Sequence, residues 1–515
     1  MFSRGSELTE WAPGAAFFRV RKEDDRIVTE GAPRCGFGHA QQAQPGTGAD
    51  PFASWEWDGR RLRVRNDRYG FHPLFYYCRN GEIAVSPSLV KLLEIGAPGE
   101  IDAGALGVLL RVDYLVGEDT PFQGIRAVPP NARMSWEDGR LEVEGSYLIG
   151  KAQSVSREAA MDGYIELFKA AVRRRAADGP AAVALSGGRD SRHIFLELCD
   201  SGRPPQAAVT VRPEPHILTQ DVDAASQLAA VAGVRHDVVD APAATFEAEW
   251  QKNIITHLST VEHSWVAAMV DYIRGRFGTV YEGVGGDVLS TSFANTPERQ
   301  AWFERGEYEN IADSLLPREE YPLTKALPAR IYREASRDAA KAKLAVELRR
   351  HAETANPLGS FLFWNRARRI TALSPICLLG SAAKVWCPYL DAELVDFLIT
   401  LPSRMLLDEE YHRFHTDVIC RAYPKYAGVP FAYKKAQRRQ APAPRRMLGQ
   451  LARLALTSPR PALLRRSFVL PRLVKGALDP AYSPALPDFA RFCLYLLQVG
   501  HYSQAGSATQ ACAPG

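Results

Sequence analysis

The sequence is short of several features, and each shortage removes a class of protein. No run of 18 apolar residues occurs, so no membrane span is expected. The first residues, MFSRGSELTEW, carry an acid early and no apolar core segment, so a secretory signal peptide is not expected. Cysteine is sparse, with eight residues at 35, 78, 199, 377, 387, 420, 493 and 512, none of them in a CxxC pair. That spacing gives no support to zinc or iron–sulfur ligation, and scattered thiols point to the reducing cytoplasm. No GxxxxGK[ST] string is present, which excludes a Walker-type phosphate loop. Repeats and low-complexity tracts are absent, and histidines such as His193 and His263 show no metal-ligand spacing. The net charge is only +4, and no nucleic-acid partner is expected.

What remains is ordinary globular sequence: 515 residues, 46% hydrophobic and 24% charged, enough for two or three domains. Residues 1–147 have β character, with short strand-like runs FFRVR, FASWEW, RLRVRND, LFYYCR and EIAVSPS broken by turn formers. From about residue 157 the pattern changes. REAAMDGYIELFKAAVRRRAAD reads as a helix, AAVAL as a strand, QAAVTVR as a strand, DVDAASQLAAVAG as a helix and RHDVV as a strand. Helical stretches near 245–258 and 263–275 precede a further strand, TVYEG, and the chain beyond 300 is mostly helical. Alternating strands and helices predict an α/β domain with a parallel sheet covered on both faces. Ligands of such sheets sit at the C-terminal strand ends.

One stretch there carries chemistry. Ala181 to Leu185 reads as a buried strand, Ser186-Gly187-Gly188-Arg189-Asp190-Ser191 follows at once, and a helix with Ile194, Phe195 and Leu198 on its apolar face comes next. Glycines let the backbone close on a phosphate, and the helix N-terminus adds partial positive charge. Ser186 and Ser191 can donate hydroxyls, while Asp190 suits a magnesium ion that bridges phosphates. After the later strand comes Gly283-Val284-Gly285-Gly286-Asp287, whose carboxylate faces the same crevice. Arg192 suits either a bound carboxylate or phosphate, or a structural role.

The string SGGxDS resembles the pyrophosphate loop of the ATP-pyrophosphatase superfamily. ALSGGRDSR, TVR with Asp221 opening the next helix, YEGVGGD and CPYLDAELVDFLITLP stand in the order and spacing of asparagine synthetases. NDRYGFHPLFYY resembles the DRxGxxPLYY segment of that family's amidotransferase domain, and IAVSPSLVKLL and PFQGIRAVPPNARMSW fit as well. The resemblance implies an N-terminal Ntn-hydrolase-like α+β sandwich (1–147), a parallel-sheet ATP-pyrophosphatase domain (148–433) and a basic, partly helical C-terminal segment (434–515). It implies ATP at Ala184, Leu185, Ser186, Gly187, Gly188, Asp190, Ser191, Val211, Gly283 and Gly285. Magnesium would lie on Asp190 and Asp287, and a catalytic lysine would be Lys434 or Lys435. The implied activity is amide formation from a small-molecule or peptide carboxylate with ammonia or an amine, through an acyl-adenylate.

Departures from the pattern are informative. Glutamine-using members begin Met-Cys, whereas this sequence begins Met1-Phe2-Ser3, and the Asn-Gly-Glu turn that holds glutamine is not visible. A glutaminase fold without glutaminase chemistry is therefore expected, with a structural role. β-Lactam synthetases and lasso-peptide cyclases also lack the terminal cysteine. The Tyr–Glu base pair of the former maps to Val284 and Ala372, neither a base. GVGGD resembles the GxGGD of lasso cyclases. Lys384 and Trp386 replace the Glu and Arg that usually precede PFLD, and Asp391 of PYLD reads as a helix cap. A lasso-type macrolactam cyclase and a degenerate nucleotide-binding scaffold are the alternatives. From Lys434 to Lys475 there are twelve Lys or Arg and no acid. This run reads as a solvated segment, as a cover over ATP, or as a dock for an acidic peptide, a phosphorylated partner or an anionic membrane.

Overall fold

The computed structural model describes residues 16–23, 26–39, 50–212, 220–241, 245–260, 263–291, 294–321, 323–407, 413–432, 444–457, 463–479, 482 and 486–511. Met1, Phe2, Ser3, Lys434, Lys435 and Cys512 lie outside them.

The N-terminal part contains β1 (Phe18–Glu23), β2 (Arg26–Gly31), β3 (Arg34–Gly38), β4 (Phe52–Trp57), β5 (Arg61–Asn66), β6 (Phe75–Arg79), β7 (Glu82–Ser86), β8 (Arg126–Ala127), β9 (Arg133–Glu137) and β10 (Arg140–Glu144). They form two five-stranded sheets, ordered β2-β1-β7-β6-β8 and β10-β9-β5-β4-β3. Strict alternation builds the sandwich: in β5, RLRVRN, Leu62, Val64 and Asn66 are buried while the arginines between them face water. The inner faces meet in a core that includes Phe18, Val20, Trp55, Val64, Ile83, Val85 and Trp136. The helices Leu89–Glu94 and Ala103–Val112 cover the outer face of the first sheet. This is the expected α+β sandwich, with β2, β3, β8, β9 and β10 added to the strands legible in the sequence.

The second part is α/β. Strands β11 (Ala181–Ala184), β12 (Ala207–Arg212), β13 (His236–Asp240), β14 (Thr279–Tyr281) and β15 (Lys384–Trp386) form a sheet ordered β13-β12-β11-β14-β15. Each neighbouring pair is parallel. Successive residues of the strands feed opposite cores. Val183 and Ala208 pack with helices Arg157–Arg174 and Asp190–Asp200, whereas Ala182, Ala207 and Val209 pack with helix Val266–Ile273. Helix Arg157–Arg174 starts at Ser156, which accepts from the Ala159 N–H, and ends on Arg173 and Arg174, as the helix dipole favours. The helical stretches near 250 and 270 are shorter than the sequence suggests, Phe246–Ile255 and Val266–Ile273. Between them His257 and Leu258 adopt left-handed φ of 57° and 53°, which stops the helix.

Buried charge fastens the two parts. A π-helical segment, Phe363–Thr371, carries Arg368 and Arg369 into the N-terminal part. Arg368 donates to the carbonyls of Gly70 and Val128, at 3.3 and 2.9 Å. Arg369 donates to those of Gly117 and Asp119. Opposite them, the NDRYGFHP turn is wound around the fully buried Asp67. Its carboxylate accepts the N–H groups of Phe52, Tyr69, Phe71 and His72 at 3.0–3.2 Å. Burial pushes the Asp67 carboxyl up to about 6, against the pull of those donors. Tyr69 and Phe71 then pack on Phe363 in the core of the second part.

The described part of the basic C-terminal segment is packed against the body. Helices Arg445–Thr457, Arg466–Leu478 and Leu486–Ala511 share one core with Leu89, Leu93, Leu106 and Phe246.

Asp67→Ala removes both acceptor oxygens and strands four N–H donors, those of Tyr69 and Phe71 fully buried. It is expected to cost about 3 kcal/mol or more, read as a lower midpoint in urea unfolding. A midpoint within experimental error of the parent would show that the turn does not depend on Asp67.

Candidate active site

Strands β11 and β14 lie side by side, and the turns that leave their C-terminal ends face each other. The first turn is short and tightly bonded. The Ser191 hydroxyl accepts the Ser186 N–H at 3.0 Å and lies 3.1 Å from the Ser186 hydroxyl, which accepts the Gly188 N–H at 3.1 Å. Gly187 donates its N–H to Asp221 at 3.0 Å, which ties the loop to the helix that follows β12. Helix Asp190–Asp200 then starts at Arg189 with no side-chain cap, whereas Ser88, Asp102, Ser156, Thr245 and Ser336 cap theirs. An uncapped N-terminus beside two serines and a glycine pair is an anion site in its donor chemistry.

The second turn closes on Asp190. A Cβ at Gly283 would stand 2.8 Å from the Asp190 Cβ, and one at Gly286 would stand 2.8 Å from its carboxyl carbon and 2.9 Å from the Tyr389 ring. Gly285 has φ +90°, which turns the chain so that Gly286 opens the next helix. Asp287 follows directly, in the first turn of the helix that Gly286 opens. Asp190 and Asp287 carry hard oxygen donors of the kind that magnesium takes. Among the described residues no group of three metal-ligating side chains occurs.

Under the loop lies a buried polar cluster. The His415 ring is within 3.5 Å of the Asp190 carboxylate, 3.1 Å of the Ser290 hydroxyl, 3.3 Å of the Tyr164 hydroxyl and 3.4 Å of Tyr389 and His193. His193 stacks on Phe168 at 3.7 Å, and burial followed by the nearby His415 lowers its pKa well below the usual value.

Several sequence expectations can be placed. Ala184, Leu185, Ser186, Gly187, Gly188, Asp190 and Ser191 sit at the end of β11, and Gly283 and Gly285 at the end of β14. Val211, near the end of β12, is half-buried. Arg192 takes the structural role. It donates to the carbonyls of Val429 and Pro430 at 2.8 and 2.6 Å and lies 3.9 Å from the Phe431 ring centroid. Ala432 completes the contact by donating its N–H to the Gly187 carbonyl at 3.0 Å. Lys434 and Lys435 are outside the described residues, two and three positions beyond that bond. Asp391 caps helix Ala392–Leu398 and is gripped by Arg174 and Arg175. Trp386 is stacked on His39 at 4.5 Å, with the Lys384 ammonium 4.1 Å from its ring centroid.

Glu282, between β14 and the glycine turn, was not singled out by the sequence pattern. It follows β14 and accepts the Val284 N–H at 2.7 Å. Burial, reinforced by Asp287, pushes its carboxyl up to about 7 in spite of that bond. The sequence signal was available in YEGVGGD, where an acid sits between a buried strand and a glycine turn. A cavity of about 490 Å³ at the domain seam, lined by Glu118, Asp119, Lys343, Glu347 and Arg350, is distant in character. Its charges are paired, Lys343 with Asp119 at 2.8 Å and Arg350 with Glu347 at 3.0 Å.

Comparison with known proteins agrees with two segments. Residues 36–148 match the family model described as a glutamine amidotransferase domain, and residues 163–414 match that described as asparagine synthase. A curated relative, Amidase chyE of Penicillium rubens, is 26% identical over 156 residues, covering 29% of this chain. The chain spans only 23% of the length of that relative. Among solved structures, glutamine phosphoribosylpyrophosphate amidotransferase from B. subtilis, complexed with ADP and GMP, aligns at 10% identity and a TM-score of 0.15. That alignment covers 43% of this chain and 47% of the other.

Gly286→Ala forces a methyl group into the Asp190 carboxyl and Tyr389. Nucleotide affinity measured by calorimetry is expected to fall by about tenfold or more, with the circular dichroism spectrum retained. Unchanged affinity would mean that Asp190 has room to move and that the turn does not fix it.

Proposed function

We propose that this chain, a member of an asparagine synthetase-like family with an N-terminal glutamine amidotransferase-like domain, adenylates a carboxylate with ATP and passes the acyl group to an amine. The observation that carries the reading is the meeting of Asp190 and the Gly283–Asp287 turn at adjacent strand ends, beside an uncapped helix N-terminus. In this reading the ATP phosphates rest on the Ser186–Ser191 loop. Asp190 and Asp287 would hold magnesium, which offsets phosphate charge when bound. A carboxylate oxygen attacks the α-phosphorus and pyrophosphate leaves. The amine then attacks the acyl carbon, AMP leaves, and one proton must be removed from nitrogen.

Glu282 suits that last task, since a carboxyl near 7 is divided between acid and base at neutral pH. Val284 and Ala372, where the β-lactam branch has its base pair, offer nothing, and Glu282 lies two residues before the first of them. The bond from Ala432 to Gly187 supports a role for Lys434 or Lys435, because it holds the chain at the phosphate loop just ahead of them. The amine is taken to be ammonia or a primary amine. Burial raises the thiols of Cys35 and Cys78, the reverse of an activated nucleophile, so free glutamine is not the expected donor.

Two measurements test this. With a productive acid and amine, labelled ATP should yield AMP and pyrophosphate, and Asp190→Asn and Asp287→Asn should each slow that reaction by about a hundredfold or more. Release of ADP and phosphate would refute adenylation.

Glu282→Gln should leave acid-dependent ATP–pyrophosphate exchange nearly intact while lowering amide formation by about a hundredfold, the size of a lost general base. The wild-type rate of amide formation should rise with pH through about 7 as Glu282 loses its proton, and that limb should vanish in the variant. Equal loss in both half-reactions would assign Glu282 to the fold instead.

A further inference from the structure

The C-terminal helices present a surface that the chemistry above does not use. Helix Arg445–Thr457 buries Met447, Leu448, Leu451 and Ala455, and turns Arg445, Arg446, Arg453 and Leu456 outward. At 100° per residue those four outward positions fall within about a third of the helix circumference. Helix Arg466–Leu478 buries Val469, Leu473 and Gly476, and exposes Ser467, Pro471, Val474, Lys475 and Leu478. Both helices bury their opposite sides in the same core and pack against each other.

This surface combines two properties rarely met together on a solvated face. Leu456, Val474 and Leu478 are 59%, 49% and 75% exposed. Tyr321, 56% exposed, joins them because its hydroxyl accepts from Arg472 at 2.7 Å and its ring stands edge-on to Phe468. Every charge carried by the two helices themselves is positive, since no Asp or Glu occurs between Asp417 and Asp479; carboxylates enter only at the margin, where Glu247 accepts from Gln450 at 2.6 Å and Asp479 follows Leu478. Among the described residues, no carboxylate lies within salt-bridge distance of Arg445, Arg446, Arg453 or Lys475. Lys475 instead stands 4.5 Å from the Tyr482 ring centroid.

We propose that this helix pair docks the protein on an anionic lipid surface. A free phosphate or an acidic peptide would use the cations but gain nothing from exposed leucine, valine and tyrosine. A lipid headgroup layer uses both, because cations meet the lipid charge while short apolar side chains enter the acyl boundary. The attachment is peripheral, since no helix among the described residues is long and apolar enough to cross a membrane. It is independent of the adenylation chemistry.

The test is sedimentation of the full chain with vesicles of phosphatidylcholine alone, or mixed with phosphatidylglycerol, at near-physiological salt. Binding is expected only to the anionic vesicles. Arg453→Glu with Lys475→Glu should weaken it by about tenfold or more. Val474→Ser with Leu478→Ser, which leaves the charge intact, should weaken it by about fivefold or more. All four side chains are exposed, and thermal unfolding followed by circular dichroism checks that both variants fold. No pelleting with anionic vesicles, or equal pelleting with both kinds, overturns the proposal. So does full binding by the serine variant together with displacement by soluble polyglutamate, which would assign the face to an acidic polypeptide.

Discussion

Asp190 occupies a space that exists only because two residues of a neighbouring turn have no side chain. Its Cβ lies against Gly283 and its carboxyl against Gly286, so that a Cβ at either glycine would collide with Asp190. That close approach sets the two turns against each other at the ends of the paired strands β11 and β14. The cluster of His415, Ser290, Tyr164 and Tyr389 beneath it follows from the same constraint. A carboxylate held that near the sheet must be met from below by polar groups, and these are all buried. The polar core under the loop is thus a consequence of where Asp190 is placed.

The attachment of the two domains obeys a related rule. Arg368 and Arg369 are nearly fully buried and spend their donors on backbone carbonyls of the N-terminal domain. Carbonyls at the end of a turn have no strand partners, so an arginine from across the boundary satisfies them and cannot be withdrawn without stranding both sides. Asn365 adds a third tie, accepting the Gly117 N–H at 2.7 Å. π-Helical geometry through this stretch shifts successive side chains relative to an α-helix and aims the arginines at one seam. The N-terminal sandwich is thereby held firmly against the second domain. His39 on Trp386 and Tyr69 on Phe363 add ring contacts across the same boundary.

Legibility in the sequence tracked how local each feature is. The strand–turn–helix at 181–200 could be read because buried alanines, glycines and an apolar helix face occur within one short window. The sandwich strands with clean alternation, such as RLRVRN, were equally plain. Strands β2, RIVTEG, and β10, RLEVE, were not, since they are outer strands whose residues are mostly exposed and whose identity comes from pairing. β15 is only three residues long and begins with Lys384, and its place beside β14 is decided by a contact across more than a hundred residues of chain. Left-handed His257 and Leu258 cut short a helix that periodicity would have continued. Arg192 illustrates the limit for single side chains. It is next to the phosphate loop in sequence, yet its partners are carbonyls of Val429 and Pro430, which no local pattern announces.

Those carbonyls also bear on how the crevice is completed. The segment Val429–Ala432 is held to the loop by the Arg192 bonds, by the ring of Phe431 over Arg192 and Arg189, and by the bond from Ala432 to Gly187. Gly187 thus bonds the helix after β12 through its N–H and the late segment through its carbonyl, and its missing side chain is required on both counts. A methyl there would stand 2.4 Å from the Ala432 Cβ and 3.0 Å from the Asp221 Cα. The glycine commonly credited to phosphate approach is, in this chain, equally the residue on which two distant segments converge.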